Sequence, residues 1–275
     1  MSQTDLTQAF AARYSDAPAA CADGAALLQS MAARGSCRAF EDRAVPQDVL
    51  DSLCAIAMAS PTKSDLQQRD IVMLRSPDQR QRLAALVAGQ AWVAQAPMLL
   101  VFCGNNRRQR LLHDWHEVPF ANDHLDALIN AAADAAIALG AFATAAEAMG
   151  LGCCPISAVR NDAGAVSDLL GLPDHVFPFA GLALGYPAAP VTLSKRLPLG
   201  VTCHVDRYKE EELRAAVEAY DKDRAATQPY GKQRFVDRFG QADTYGWSDD
   251  KVRQYSAPER AEFGAFIRKR GFCLD

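Results

Sequence analysis

An α+β or α/β sandwich around a short central sheet is the architecture this chain predicts, on three observations. Helical stretches alternate with a few short strands, and helix outweighs strand. The run 97–103 is continuously apolar, as a strand covered by helices on both faces should be. The 275 residues are 49% hydrophobic and 23% charged, ordinary for a well-packed protein. They show no internal repeat or low-complexity linker, so one domain over 1–275 is expected.

Taken in order, residues 1–20 hold Asp5, Arg13 and Asp16 without a strong core stripe. They read as an N-terminal extension, either a helix or an arm on a partner, with no apolar leader segment. Over 25–33 apolar positions recur at helical spacing, and the run breaks at Gly35. A second helix fits 47–60, where Pro46 precedes a face of Val49, Leu50, Leu53, Ile56 and Ala57. A buried strand fits 70–74, and Ser76-Pro77-Asp78 starts another helix. The stretch 125–149 is as long as a membrane span, but Asp126, Asp134 and Glu147 are costly in a bilayer. Its alanines suit a helix in a core or subunit interface, and Gly150-Leu151-Gly152 ends it. Beyond it come an extended stretch to 159, a helix over 162–170, a strand over 177–186 and an irregular segment over 187–204. Helix returns over 209–220. A polar, aromatic excursion or lid occupies 221–257 before a last helix over 258–270.

Several function classes are excluded. A net charge of -4 and a pI near 5.8 argue against a nucleic-acid surface or polybasic membrane patch. Eight cysteines are too sparse for a disulfide scaffold and read as reduced thiols in a cytoplasmic protein. Gly150-Leu151-Gly152-Cys153-Cys154-Pro155 follows a helix and lacks a third glycine, so a dinucleotide fingerprint is rejected. No phosphate-binding P-loop and no G-x-S-x-G elbow occur. His113-Asp114-Trp115-His116-Glu117 lacks the H-E-x-x-H order and reads as a surface loop or lid, so no metal is assigned.

Two basic clusters remain. Arg34, Ser36 and Arg38 set two guanidiniums and a hydroxyl within five residues, and Lys195-Arg196 lies far downstream. Arginine grasps phosphate bidentately and a hydroxyl adds a short hydrogen bond. Alone, the first cluster also fits a solvated helix end complementing the dipole.

Four segments together resemble the nitroreductase superfamily, in its branch of oxygen-insensitive NADPH nitroreductases and flavin reductases. They are Arg34-x-Ser36-x-Arg38-x-Phe40; Ala59-Ser60-Pro61-Thr62-Lys63-Ser64-Asp65-Leu66-Gln67; Gly89-Gln90-x-x-Val93-Ala94-Gln95-Ala96-Pro97; and Gly150-Leu151-Gly152-x-x-x-Ile156-x-x-x-Arg160-Asn161 with Gly185-Tyr186-Pro187 and Lys195-Arg196-Leu197-Pro198. The resemblance spans 27–208 and extends to the closing helix.

What it implies is an α-β-α sandwich of the α+β class with a mainly antiparallel sheet and a long central helix at a homodimer interface. FMN would be the reactive group, NADPH or NADH the donor and a small molecule the acceptor. No side chain need serve as catalytic acid or base. By the resemblance, Arg34, Gly35, Ser36, Arg38, Lys195 and Arg196 would surround the FMN phosphate. Thr62, Lys63, Ser64 and Gln90 would meet the ribityl chain or ring edge, and Pro155, Ile156, Ser157 and Ala158 would lie along the ring. Lys63 either stabilises the reduced, anionic ring or is a solvated turn lysine. Asp65, Arg238 and Arg260 are assigned to substrate or NADPH, with the cations of 234–253 suited to the extra phosphate of NADPH or to a solvated lid.

The chain departs from the family pattern around the acceptor cavity. Arg34 and Gly35 stand for the common His and Arg, and Ser194-Lys195-Arg196 for Lys-Pro-Arg. Asp65 replaces an apolar residue, and Pro155, Ser157 and Ala158 replace a tyrosine and two glycines. A different redox task on the same fold, such as dehalogenation or ring oxidation, therefore stays open. So do a flavin-binding protein without turnover and a structural helical protein with exposed arginines.

Overall fold

The computed structural model describes residues 3–17, 25–87 and 90–275, with the side chains of 3–6 and of 25 outside that description. Residues 18–20 of the extension, Cys21 and Gly89 of the third motif fall outside the described residues.

In chain order the helices are α1 (Gln3–Arg13), α2 (Ala25–Ala32), α3 (Gln47–Met58), α4 (Pro77–Leu86), α5 (Arg107–Trp115), α6 (Leu125–Ala148), α7 (Ala163–Leu170), α8 (Leu199–Thr202), α9 (Leu213–Thr227), α10 (Val236–Phe239), α11 (Trp247–Tyr255) and α12 (Phe263–Lys269). The strands are β1 (Arg69–Leu74), β2 (Met98–Asn105), β3 (Gly152–Ile156) and β4 (Val176–Gly185). They form one antiparallel sheet in the order β1-β2-β4-β3, with a bulge at Phe102/Cys103.

The chain gathers into two compact units, one of Met1–Gly35 with Thr192–Glu259 and one of Ser36–Val191 with Arg260–Asp275. Each draws on two separate stretches, so neither boundary needs a linker of distinctive composition.

The second unit holds the sheet. Side chains along β2 alternate between its faces. Leu100 and Phe102 join Leu50, Leu53, Ala138 and Phe142 from α3 and α6. Leu99, Val101 and Cys103 join Leu83, Val159 and Val166 on the opposite face. Two covered faces explain why this strand reads as an unbroken apolar run. Phe102 and Phe142 meet edge to face at 5.6 Å. Near the C-terminus Phe177, Ile267 and Phe272 close a smaller cluster with Ala131.

Among the described residues one helix, α6, is long and apolar enough to cross a membrane. Its buried stripe of Ala127, Ala131, Ala135, Ala138, Phe142 and Ala146 packs within the protein core. Gly150 at φ 80° turns the chain from α6 into β3, a conformation only glycine adopts without strain.

Some boundaries differ from expectation. The 113–117 segment closes α5 instead of forming a loop, with Trp115 as the helix's last residue. Beyond Ile156 the chain tightens into a 3-10 turn over Ser157–Arg160 instead of staying extended. The helix expected over 209–220 is α9, shifted to Leu213–Thr227. The final helix starts later than expected, at Phe263, because Arg260 sits at φ 58°, which breaks helical continuation.

Candidate functional site

In the first unit α1 ends at Arg13, a residue only 6% exposed. It donates to the carbonyls of Ala32, Arg34 and Ser194, the last at 3.3 Å. The Arg13 carbonyl in turn accepts from the Arg196 amide at 2.8 Å. One buried arginine therefore ties the backbone of the Arg34 loop to that of the Arg196 loop, although some 160 residues lie between them. Gly35 is buried beside it. Asp16 accepts from the amides of Leu199 and Gly200 at 2.8 and 3.0 Å, anchoring the same loop further on.

A cavity of 530 Å³ opens beside the Arg196 loop within the first unit. Lys195, Arg196, Arg224 and Lys251 line it with Tyr220, Tyr230 and Trp247, and no carboxylate is in the lining. That donor set fits a dianionic phosphate. Lys195 Nζ pairs with Asp223, and Arg196 Nη1 meets the carbonyls of Ser194 and Lys195 at 3.0 and 3.2 Å.

The excursion is knit by its own charges. Arg234 and Lys251 share the buried Asp250 at 3.0 and 2.7 Å. Burial alone would raise the Asp250 pKa, but Lys251, Tyr245 and Arg234 outweigh it and hold the carboxyl below its usual range. Arg253 donates to the carbonyls of Arg234 and Gly240, both at 3.0 Å, and lies 5.1 Å from the Tyr245 ring centre. Arg238 bonds Ser256 and stays exposed.

In the second unit, Ser36 is half-buried and Arg38 exposed, its guanidinium 5.7 Å from the Trp92 ring centre. Gln90 opens the 3-10 segment Ala91–Gln95 that carries Trp92. Pro155 and Ser157 are exposed at the end of the edge strand β3, whereas Ile156 and Ala158 face the core.

The turn after α3 is braced from several sides. Ser64, Asp65 and Gln67 all have positive φ, at 48°, 56° and 52°. Such conformations are uncommon for residues other than glycine and need support from their surroundings. Here Thr62 Oγ1 donates to Asp134, so it accepts the Gln67 amide at 2.8 Å but has no proton left for a ligand. Lys63, Ser64 and Asp65 form an exposed tip, with Lys63 Nζ 3.1 Å from Ser64 Oγ.

A second cavity, of 490 Å³, lies in the same unit between the Arg160–Gly164 segment and α12, with Arg160 and Arg260 among its walls. Arg260 reaches Asn161 Oδ1 at 3.4 Å, and Arg160 donates to the Phe179 carbonyl. Burial first, and the facing Arg260 second, lower the Arg160 pKa from its usual value.

The profile of the Nitroreductase family matches residues 31–186, and that of the Nitroreductase family C-terminal domain matches 194–275. The chain belongs to the nitroreductase family. It is 30% identical over 252 residues to an FMN reductase [NAD(P)H] of Bacillus subtilis, covering 90% of this chain and 98% of the relative. It is 30% identical over 248 residues to an oxygen-insensitive NADPH nitroreductase of Salmonella typhimurium, with the same coverage. The solved structure of NfrA2 from B. megaterium superposes with a TM-score of 0.82 at 29% identity, covering 91% of this chain and 99% of that one. The α+β fold expected from sequence is the nitroreductase fold.

The chain also holds residues whose roles its sequence did not announce. Arg13 appeared only as a charge at the chain's start, and Asp134 only as an argument against a membrane helix. Each is the hub of hydrogen bonds to a candidate segment, and an isolated charge on an otherwise small-residue helix was the available signal for Asp134.

Proposed function

We propose that this protein is an FMN-dependent NAD(P)H oxidoreductase that reduces nitroaromatics, quinones or flavins by ping-pong exchange. The observation that carries the reading is the pairing of the two basic loops through Arg13, with the Arg196 loop lining a cation-rich cavity whose walls hold no carboxylate. The names of the relatives support it, since they include an FMN reductase and an NADPH nitroreductase. The chemistry that bound FMN supplies is two-electron exchange between a nicotinamide and a small acceptor.

The residues of this chain bind and orient. Arg34, Ser36, Arg38 and Arg196, with Gly35 and Lys195 beside them, hold the phosphate end. Each charge-assisted contact contributes about 1.5–3 kcal/mol when formed. Thr62, Lys63, Ser64 and Gln90 serve the ribityl chain and ring edge, with Thr62 limited to accepting or positioning. Pro155, Ile156, Ser157 and Ala158 flank the ring, and the exposed Ser157 hydroxyl remains available there. Asp65, Arg238 and Arg260 act on the acceptor or nicotinamide nucleotide.

The working unit is a homodimer in the cytoplasm. Ile129 and Ile137 on α6 and Ile56 and Met58 on α3 remain exposed, an apolar surface suited to a second copy. Among the described residues Cys37, Cys54, Cys103, Cys203 and Cys273 carry free thiols, which suits a reducing compartment.

Steady-state kinetics with NADPH and NADH against nitrofurazone, menadione and a halogenated phenol tests the reading. Parallel double-reciprocal lines with a nitro compound or quinone are expected. Turnover of the phenol alone would favour the dehalogenating task, and bound FMN without turnover would leave a carrier.

A further inference from the structure

The acid-braced turn between α3 and β1 carries an inference that rests on the reading above and sharpens it. Asp134, 1% exposed, projects from the middle of α6 into this turn. Its carboxylate accepts from Thr62 Oγ1, from the Lys63 amide at 3.0 Å and from the Gln68 amide at 2.8 Å. Arg69 is its counter-charge, at 3.7 Å and 4% exposed. That guanidinium also donates to the carbonyls of Met58 and Ser60, at 2.6 and 2.9 Å, where α3 ends. From the other side, Arg108 and Gln109 of α5 donate to the carbonyls of Gln67 and Leu66, at 2.7 and 2.6 Å.

Both flanks of the turn are thus fixed, and the exposed tip Lys63, Ser64 and Asp65 lies between them. A loop that merely joined a helix to a strand would not need three left-handed residues held over one buried carboxylate. We infer that Asp134 is a positioning residue: it holds this turn in its left-handed form and so sets where the Lys63 ammonium stands against the bound flavin. An ammonium fixed near the ring favours the reduced, negatively charged form over the oxidised one, whereas a mobile one is screened by water.

The test compares the holoenzyme with Thr62→Val, Thr62→Ser, Lys63→Ala and the double variant Thr62→Val/Lys63→Ala. Asp134→Asn leaves Arg69 buried without its counter-charge, and its folding is not relied upon. In Thr62→Val, hydrogen exchange at the Lys63, Gln67 and Gln68 amides should accelerate about tenfold or more, with β2 amides unchanged. The ratio of reduced to oxidised FMN affinity, read from spectroelectrochemical potentials, should fall several-fold in Thr62→Val and in Lys63→Ala. The double variant should fall no further than Lys63→Ala, and Thr62→Ser should restore both readouts. Faster local exchange with an unchanged affinity ratio would reduce Asp134 to a structural support and overturn the proposal. Unchanged exchange would remove the brace itself. Were the wild type to bind no FMN, the functional reading would fail separately, and with no flavin for the tip to face the positioning role would fall with it, although exchange would still report the brace.

Discussion

Replacing Arg13 by methionine keeps most of the aliphatic stem but removes the guanidinium donors to Ala32, Arg34 and Ser194, leaving only the backbone bond from the Arg196 amide to the residue 13 carbonyl between the loops. Two of its carbonyl contacts are close and the third, to Ser194, is long at 3.3 Å. A hydrogen bond to a charged group contributes about 1.5–3 kcal/mol, so the two close ones set an upper bound near ~6 kcal/mol. The carbonyls of Ala32 and Arg34 belong to residues that are not fully buried, so water recovers part of this. A loss of about 2–4 kcal/mol remains, which at this chain length lowers the melting temperature by roughly 5–15 °C. The diagnostic quantity is FMN affinity measured by fluorescence quenching well below the melting transition. If Arg13 sets the spacing of the Arg34 and Arg196 loops, the dissociation constant should rise at least about tenfold, or ~1.4 kcal/mol. A variant that melts early yet binds FMN within about twofold of wild type would show that the tie serves folding alone, and the reasoning would be wrong.

Further expectations concern single sites. Arg38→Ala and Arg196→Ala should each weaken FMN binding by about 10–100-fold while leaving the melting curve of the apoprotein within ~2 °C. Phe142→Ala empties a fully buried position against Phe102, and denaturant titration should show a loss of about 3–5 kcal/mol. Burial first, then the neighbouring Arg110, lowers the His175 pKa below the usual 6.5, and its Nε2 contacts the Gly271 carbonyl at 2.9 Å. With the folded value depressed, the unfolded chain binds the proton first, so stability present above pH 6.5 is lost as pH falls through the folded value. Melting temperatures from pH 8 to 5 should therefore fall more steeply for wild type than for His175→Gln, and parallel curves would contradict this.

Much of the fold was legible because burial imposes regular patterns. The apolar run of β2 and the alanine-rich stripe of α6 announced a doubly covered sheet and a packed central helix. The basic clusters at 34–38 and 195–196 stood out in sequence as candidates because arginine suits phosphate, and the structure adds that Arg13 ties the backbones of Arg34 and Ser194. The braces were not legible. Arg13 acts on backbone carbonyls, which carry no side-chain identity in the sequence, and Asp134 meets a turn some seventy residues away. Thr62 illustrates the same limit: a hydroxyl in a candidate cofactor turn reads as a ligand donor until the structure shows its proton directed at Asp134. The last helix begins later than 258 because the left-handed residue before it, Arg260, is not one that composition marks as a breaker.

The most direct test of the central claim is the absorption spectrum of the purified protein, recorded before and after anaerobic addition of NADPH. The account predicts flavin bands in a stoichiometric complex that bleach on addition and return when a quinone or nitroaromatic is supplied. A colourless protein that takes up no FMN on titration would contradict it.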